Sequence, residues 1–108
     1  MTRDEILEMG EGWKINELIH TRIMGADILP RGYGYPWYSE DIESAWRVVE
    51  KMAEKGISSY VGINAANKNW EATFGTNDLE YTLNKVASEI SAPLAICRAA
   101  LLAVMEDK

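Results

Sequence analysis

Ala92-Pro93-Leu94-Ala95-Ile96-Cys97-Arg98-Ala99-Ala100-Leu101-Leu102-Ala103-Val104-Met105-Glu106 is the longest nearly uncharged run in this chain of 108 residues. Its composition predicts a helix. Pro93 suits a first turn, where its missing N–H is not needed, and Ser91 stands where a side chain caps the free amides. Leu94, Cys97, Leu101 and Val104 recur at spacings of three and four and share one face. Ile96, Ala99, Ala100 and Ala103 widen that face, and only Arg98 interrupts it. A helix apolar over so much of its circumference is a buried one, and its alanines admit another backbone layer close against it.

Working back from this helix, three stretches alternate as strands do. Ile57 to Ala65 sets Ile57, Ser59, Val61 and Ile63 on one face and Tyr60 on the other. Asn69 to Phe74 groups Trp70, Ala72 and Phe74. Leu79 to Leu83 groups Leu79, Tyr81 and Leu83. The links Ala66-Asn67-Lys68 and Gly75-Thr76-Asn77-Asp78 carry hairpin chemistry. An antiparallel sheet of three, or four, strands is expected as a meander, and Asn84 to Ile90 either extends the third strand or loops to Ser91.

Two helices precede it. Thr2 and Glu5 form a capping box, and a helical pattern runs from there to about Met24 with Ile15, Leu18, Ile19 and Ile23 as its stripe. Gly10 and Gly12 weaken the first half, so the helix bends or begins late there. Trp13 beside them is free to fold onto the core or onto a partner subunit. Ser39 is the expected cap of the second helix, Glu40 to Lys55, whose apolar stripe reads Ile42, Ala45, Trp46, Val49 and Met52. The order is therefore α-α-β-β-β-α, an α+β single domain spanning 1–108, with the first helix available to cover the second face of the sheet.

Composition narrows the function. The chain is 47% hydrophobic and 26% charged, as soluble globular proteins are. No apolar run reaches the roughly 20 residues that span a bilayer, and the polar start Thr2-Arg3-Asp4-Glu5 is unlike a signal peptide. A cytoplasmic protein without membrane attachment is expected. Cys97 is the only cysteine; on an apolar helix face it reads as a buried, inert thiol. The net charge of −6 is spread along the chain. That distribution lacks the clustered Lys and Arg of a nucleic-acid binder.

Part of the pattern resembles known families. Helix-strand-strand-strand-helix, from Glu40 onward, is also the order of double-stranded-RNA-binding domains. Those domains carry a basic cluster at the head of the last helix, where this chain has Ala92-Pro93-Leu94-Ala95, so RNA binding in that mode is not expected. A second resemblance rests on sequence. Met1-Thr2-Arg3-Asp4-Glu5-Ile6-Leu7, Arg22-Ile23-Met24-Gly25, Tyr38-Ser39-Glu40-Asp41-Ile42 with Ala45-Trp46-Arg47-Val48-Val49-Glu50-Lys51-Met52, and Ala92 to Glu106 together resemble the phage ABA-sandwich family, small proteins of Bacillus-type phages and prophages. It implies helices on both sides of a sheet and a phage setting, and it brings no catalytic residues with it.

The reactive inventory is thin. His20 is the only histidine, with no second His or Cys at metal-ligand spacing. Gly32-x-Gly34 lacks the preceding strand and third glycine of a dinucleotide site, and no Gly-x-Ser-x-Gly elbow exists. No catalytic residue, metal or cofactor is assigned, and the chain is read as a non-enzyme.

The feature above background is the loop from Gly25 to Tyr38. Tyr33, Tyr35, Trp37 and Tyr38 offer flat stacking surfaces, and Arg31 grips phosphate or carboxylate with two parallel bonds. Asn67, Lys68, Asn69 and Trp70, with Asn64, bracket the first hairpin and add amides, one cation and an indole. Stacking plus a few polar groups is how nucleotides are commonly held. The structural alternative is that these rings lid the core edge or lie in an oligomer interface. Two functional expectations follow: a sponge that sequesters a nucleotide-type signal of host antiphage defence, or an adaptor or inhibitor acting on a host protein through the aromatic loop. Four tryptophans in so small a domain also suggest a homo-oligomer, through the first helix or the aromatic loop.

Overall fold

The computed structural model describes residues 2–30, 34–75, 86–88 and 91–105. In chain order these are α1 (Arg3–Glu8), α2 (Trp13–Leu18) continuing as a π turn (Ile19–Ile23), α3 (Ile42–Glu54), β1 (Ser58–Ile63), β2 (Trp70–Gly75), β3 (Val86–Ser88) and α4 (Ala92–Met105).

The capping box is present: Thr2 Oγ1 accepts from the Glu5 N–H at 3.2 Å, and the Glu5 carboxylate accepts from the Thr2 N–H at 2.7 Å. The helix it starts is short. The expected run to Met24 is broken between Met9 and Gly12, where Gly12 adopts φ +139°, and the chain restarts as α2. Ile15, Ile19 and Ile23 are fully buried, with Leu18 packed beside them.

Three further expectations are corrected. Ser39 does not cap α3. Asp41 does, its carboxylate accepting from the Ser44 N–H at 3.0 Å, and the helix starts at Ile42. Ser39 is instead fully buried, used for the long-range contacts described below. The buried face of α3 is Ala45, Val48 and Met52; Ile42 and Trp46 lie 41% and 44% exposed on its flank. A stripe drawn by hydrophobicity alone was pulled toward the largest side chain, and packing followed the smaller ones. In the last helix, Val104 is exposed although it continues the stripe.

β1 and β2 form an antiparallel hairpin in register Ser58↔Gly75 through Ile63↔Trp70. β3 pairs antiparallel with β2, from Trp70↔Ser88 to Ala72↔Val86. The strand expected at Leu79 to Leu83 and the link through Asp78 lie outside the described residues. Ala72 and Phe74 are fully buried, and Trp70 and Val61 pack against the same core.

α4 is the hub. It packs on all three strands, on α3, on α1 and on the π turn. Leu94, Ala95, Ile96, Cys97, Ala99, Ala100 and Leu101 are all solvent-free, which is why its apolar residues run around the helix instead of down one side. Arg98, its sole charge, is half-buried, and its Nε donates to the Met9 carbonyl at 2.9 Å, satisfying the open end of α1. The first arm therefore stacks on α4 and α3 rather than on the second face of the sheet. The sequence leaves the second face of the sheet available to this arm; α4, already enclosed by strands on one side, presents its other side to α1 instead.

Candidate functional site

The aromatic loop divides in two. Tyr38 is 3% exposed, and its hydroxyl lies 3.0 Å from His20 Nδ1. Tyr35 is half-buried; its hydroxyl donates to Glu17 Oε2 at 3.0 Å and accepts from the Leu29 N–H at 3.1 Å. The His20 ring meets Tyr35 edge-on, centroids 5.2 Å apart, and lies tilted 6.1 Å from Tyr38. Burial pushes both phenols above their ordinary range. At Tyr35 the Leu29 amide opposes the rise and the Glu17 carboxylate adds to it. The π turn adds one residue to its circuit, its Met24 N–H bonding the Ile19 carbonyl at 3.0 Å, and brings His20 to this contact. These two rings fasten the loop to the first arm. They are not a free stacking surface. Trp37, by contrast, is 66% exposed. Arg31 and Tyr33 lie outside the described residues.

The asparagine cluster closes its own turn. Asn64 Oδ1 accepts from the Ala66 N–H at 2.9 Å, and Asn67 Oδ1 from the Asn69 N–H at 2.9 Å. Lys68 sits at φ +65° with its N–H on the Asn64 carbonyl at 2.7 Å. Asn67 and Lys68 face solvent, and Asn69 is half-buried.

Of the expected residues, Trp70 lines a groove of substantial size. The cavity, ≈ 480 Å³, runs between the start of α3 and the start of α4. Trp46 and Ile42 form one wall, Trp70 and Val61 the sheet side, and Ser91, Ala92 and Pro93 the head of α4. Its volume falls within the ~300–1,000 Å³ of small-molecule sites. The lining offers two indoles, aliphatic surface and one hydroxyl. Ser91 Oγ accepts from the Leu94 N–H at 3.3 Å, and the positive end of the α4 dipole opens beside it. Among the described residues, neither Tyr35, Trp37 and Tyr38 of the aromatic loop nor Asn67, Lys68 and Asn69 line this groove. Its described walls carry no ionisable group; they present two indoles, aliphatic surface and the Ser91 hydroxyl beside the head of α4.

Sequence reasoning missed Ile42, Trp46, Val61, Ser91, Ala92 and Pro93 as site residues. The available signal was the i, i+4 pair Ile42–Trp46, which stands at the edge of the α3 stripe.

Among the described residues no group of three His, Cys, Asp or Glu side chains could hold a metal ion, and no helix is long and apolar enough to cross a membrane. Cys97 is fully buried, and burial pushes its thiol far above the usual range.

Residues 11–101 match the phage ABA sandwich domain. The chain is also similar to a phage protein from Bacillus cereus ATCC 14579, whose crystal structure superposes with a TM-score of 0.68 at 31% identity, covering 87% of this chain and 92% of that one. No curated protein matches the chain.

Proposed function

We propose a function on one premise: the chain belongs to the phage ABA sandwich family. It is a non-enzymatic binding protein that acts in the cytoplasm of an infected or lysogenic host. Its occupant is a small ligand with a flat ring, in class a nucleotide-type signal of host antiphage defence, which it sequesters. The supporting observation is the pair Trp46 and Trp70, both partly exposed and lining one ≈ 480 Å³ groove that ends at the head of α4. Stacking holds bases of any identity because every base has a π face, and a sequestering protein needs no reactive group. The binding wall thus moves from the aromatic loop to the hairpin and α3.

Titration against cyclic nucleotides and NAD-derived messengers tests this, read by calorimetry and by tryptophan fluorescence. Saturable binding of at least one, lost in Trp70→Ala, is expected. Absence of heat and of quenching with every member, for folded protein, overturns it.

A second reading has its own support. Trp37 and Ile28 are 66% and 69% exposed on the loop, as the anchors of a protein contact are. In that reading the chain is an adaptor or inhibitor of a host protein. A stoichiometric host protein captured by the wild type and lost on Trp37→Ala favours it. Capture that is unaffected by Trp37→Ala removes it.

A further inference from the structure

β1 carries a backbone edge that is unpaired on its outer side. It stands at the edge of the sheet among the described residues, paired with β2 on one side. Edge strands are ordinarily blunted by Lys, Pro or a bulge. From Gly56 to Asn67 this chain has no charged residue and no proline, and the β1–β2 register runs without a bulge.

The direction of the unpaired groups follows from the turn. The Asn64 N–H donates to the Asn69 carbonyl at 2.8 Å, and an antiparallel ladder alternates from such a pair. Gly62, Tyr60 and Ser58 therefore turn their backbone groups to β2. Ser59, Val61 and Ile63 turn theirs outward, each offering a donor and an acceptor. Tyr60 and Ile63 are 57% and 52% exposed.

We propose that β1 pairs antiparallel with β1 of a second copy, about a two-fold axis at Val61. Ser59 then lies opposite the partner's Ile63, and the outward N–H and C=O groups of both strands are satisfied. On the outer face Tyr60 lies opposite the partner's Gly62. That match sets a large side chain opposite a residue that has none; within its own strand the Tyr60 ring lies over Gly62, where an added Cβ would stand 2.5 Å from its hydroxyl oxygen. A two-fold contact needs such self-complementarity, which selects a second copy over a foreign peptide. Two chains of net charge −6 repel, and a seam free of charge is where that repulsion opposes contact least. Val61 also lines the groove, so the two grooves flank the seam. The pairing stands whether or not the groove binds a nucleotide.

Light scattering over a concentration series, with hydrogen exchange read amide by amide, tests the pairing. The expected result is a species of twice 12.1 kDa in which the Ser59, Val61 and Ile63 amides gain protection as concentration rises, those of Tyr60 and Gly62 being protected throughout. The double variant Tyr60→Lys/Ile63→Lys is expected to return a monomer with the same circular dichroism, as is Ser59→Pro, which removes only an outward N–H. If either variant fails to fold, exchange in the wild type decides. A chain that stays at 12.1 kDa up to millimolar concentration overturns the proposal. So does a dimer whose Ser59, Val61 and Ile63 amides exchange at the monomer's rate.

Discussion

Asn16 Oδ1 accepts two hydrogen bonds from Ser39, one from its N–H at 2.9 Å and one from its hydroxyl at 2.8 Å. Both residues are buried, at 2% and 0% exposure. Ser39 Oγ accepts in turn from the Gly12 N–H at 3.1 Å, and Asn16 Nδ2 donates to Glu40 Oε1 at 3.2 Å. A single polar knot thus joins the break before α2 to the end of the aromatic loop.

Asn16→Ala orphans the buried N–H and hydroxyl of Ser39. Leaving buried polar groups unsatisfied costs ~1–3 kcal/mol, so the urea midpoint falls by an equivalent amount with an unchanged m-value. Binding in the groove, which neither Asn16 nor Ser39 lines, is expected to survive in the folded fraction. A variant as stable as the wild type would show that the knot contributes nothing.

Trp70→Ala and Trp46→Ala each remove one wall of the groove from a partly exposed position, and both variants are expected to remain folded. Stacking on an aromatic side chain contributes ~1–3 kcal/mol per base, hence a loss of roughly 5- to 150-fold in affinity at 1.4 kcal/mol per decade. Trp37→Ala leaves that affinity unchanged. Fluorescence titration of the three variants separates the groove from the loop.

Lys68 holds φ +65° at the hairpin turn. A left-handed conformation costs an L-residue ~1–2 kcal/mol, and glycine avoids that while losing ~0.5–1 kcal/mol of chain entropy. Lys68→Gly is therefore expected to stabilise the protein, by less than about 1 kcal/mol, in denaturant titration. A lower midpoint would mean that the lysine side chain contributes more than its backbone strain costs.

Cys97 is fully buried and its thiol is raised by desolvation. In the unfolded chain a cysteine ionises near about 8.5. Folding therefore holds a proton that the unfolded state releases above that pH. The contribution of Cys97 to stability is complete below about pH 8.5 and is lost as pH rises further, at up to ~1.4 kcal/mol per unit. Cys97→Ala removes that part of the slope between pH 8.5 and 10, and a thiol reagent labels the wild type only after it unfolds.

The fold was legible where one element carries its own pattern. Leu94, Cys97 and Leu101 announce a buried helix without reference to anything else, and Thr2 with Glu5 announces the cap of α1. Contacts between distant segments left no such local mark. Ser39 has the chemistry of a cap, and only the proximity of Asn16 makes it a buried tie. Trp46 falls in an apolar stripe, and only the position of Trp70, brought opposite by the hairpin, makes it a groove wall. The tyrosines of the loop read as free rings because Glu17 and His20, which engage Tyr35 and Tyr38, lie on the preceding arm.

The enclosure of α4 bears on how the molecule comes apart. The sheet closes its core on one flank of this helix, and the α1–α2 arm closes its own on another, so neither has an interior once α4 is withdrawn. There is then no sub-unit left to melt alone. Calorimetric and van't Hoff enthalpies should coincide for the monomer, as they do in an all-or-none transition.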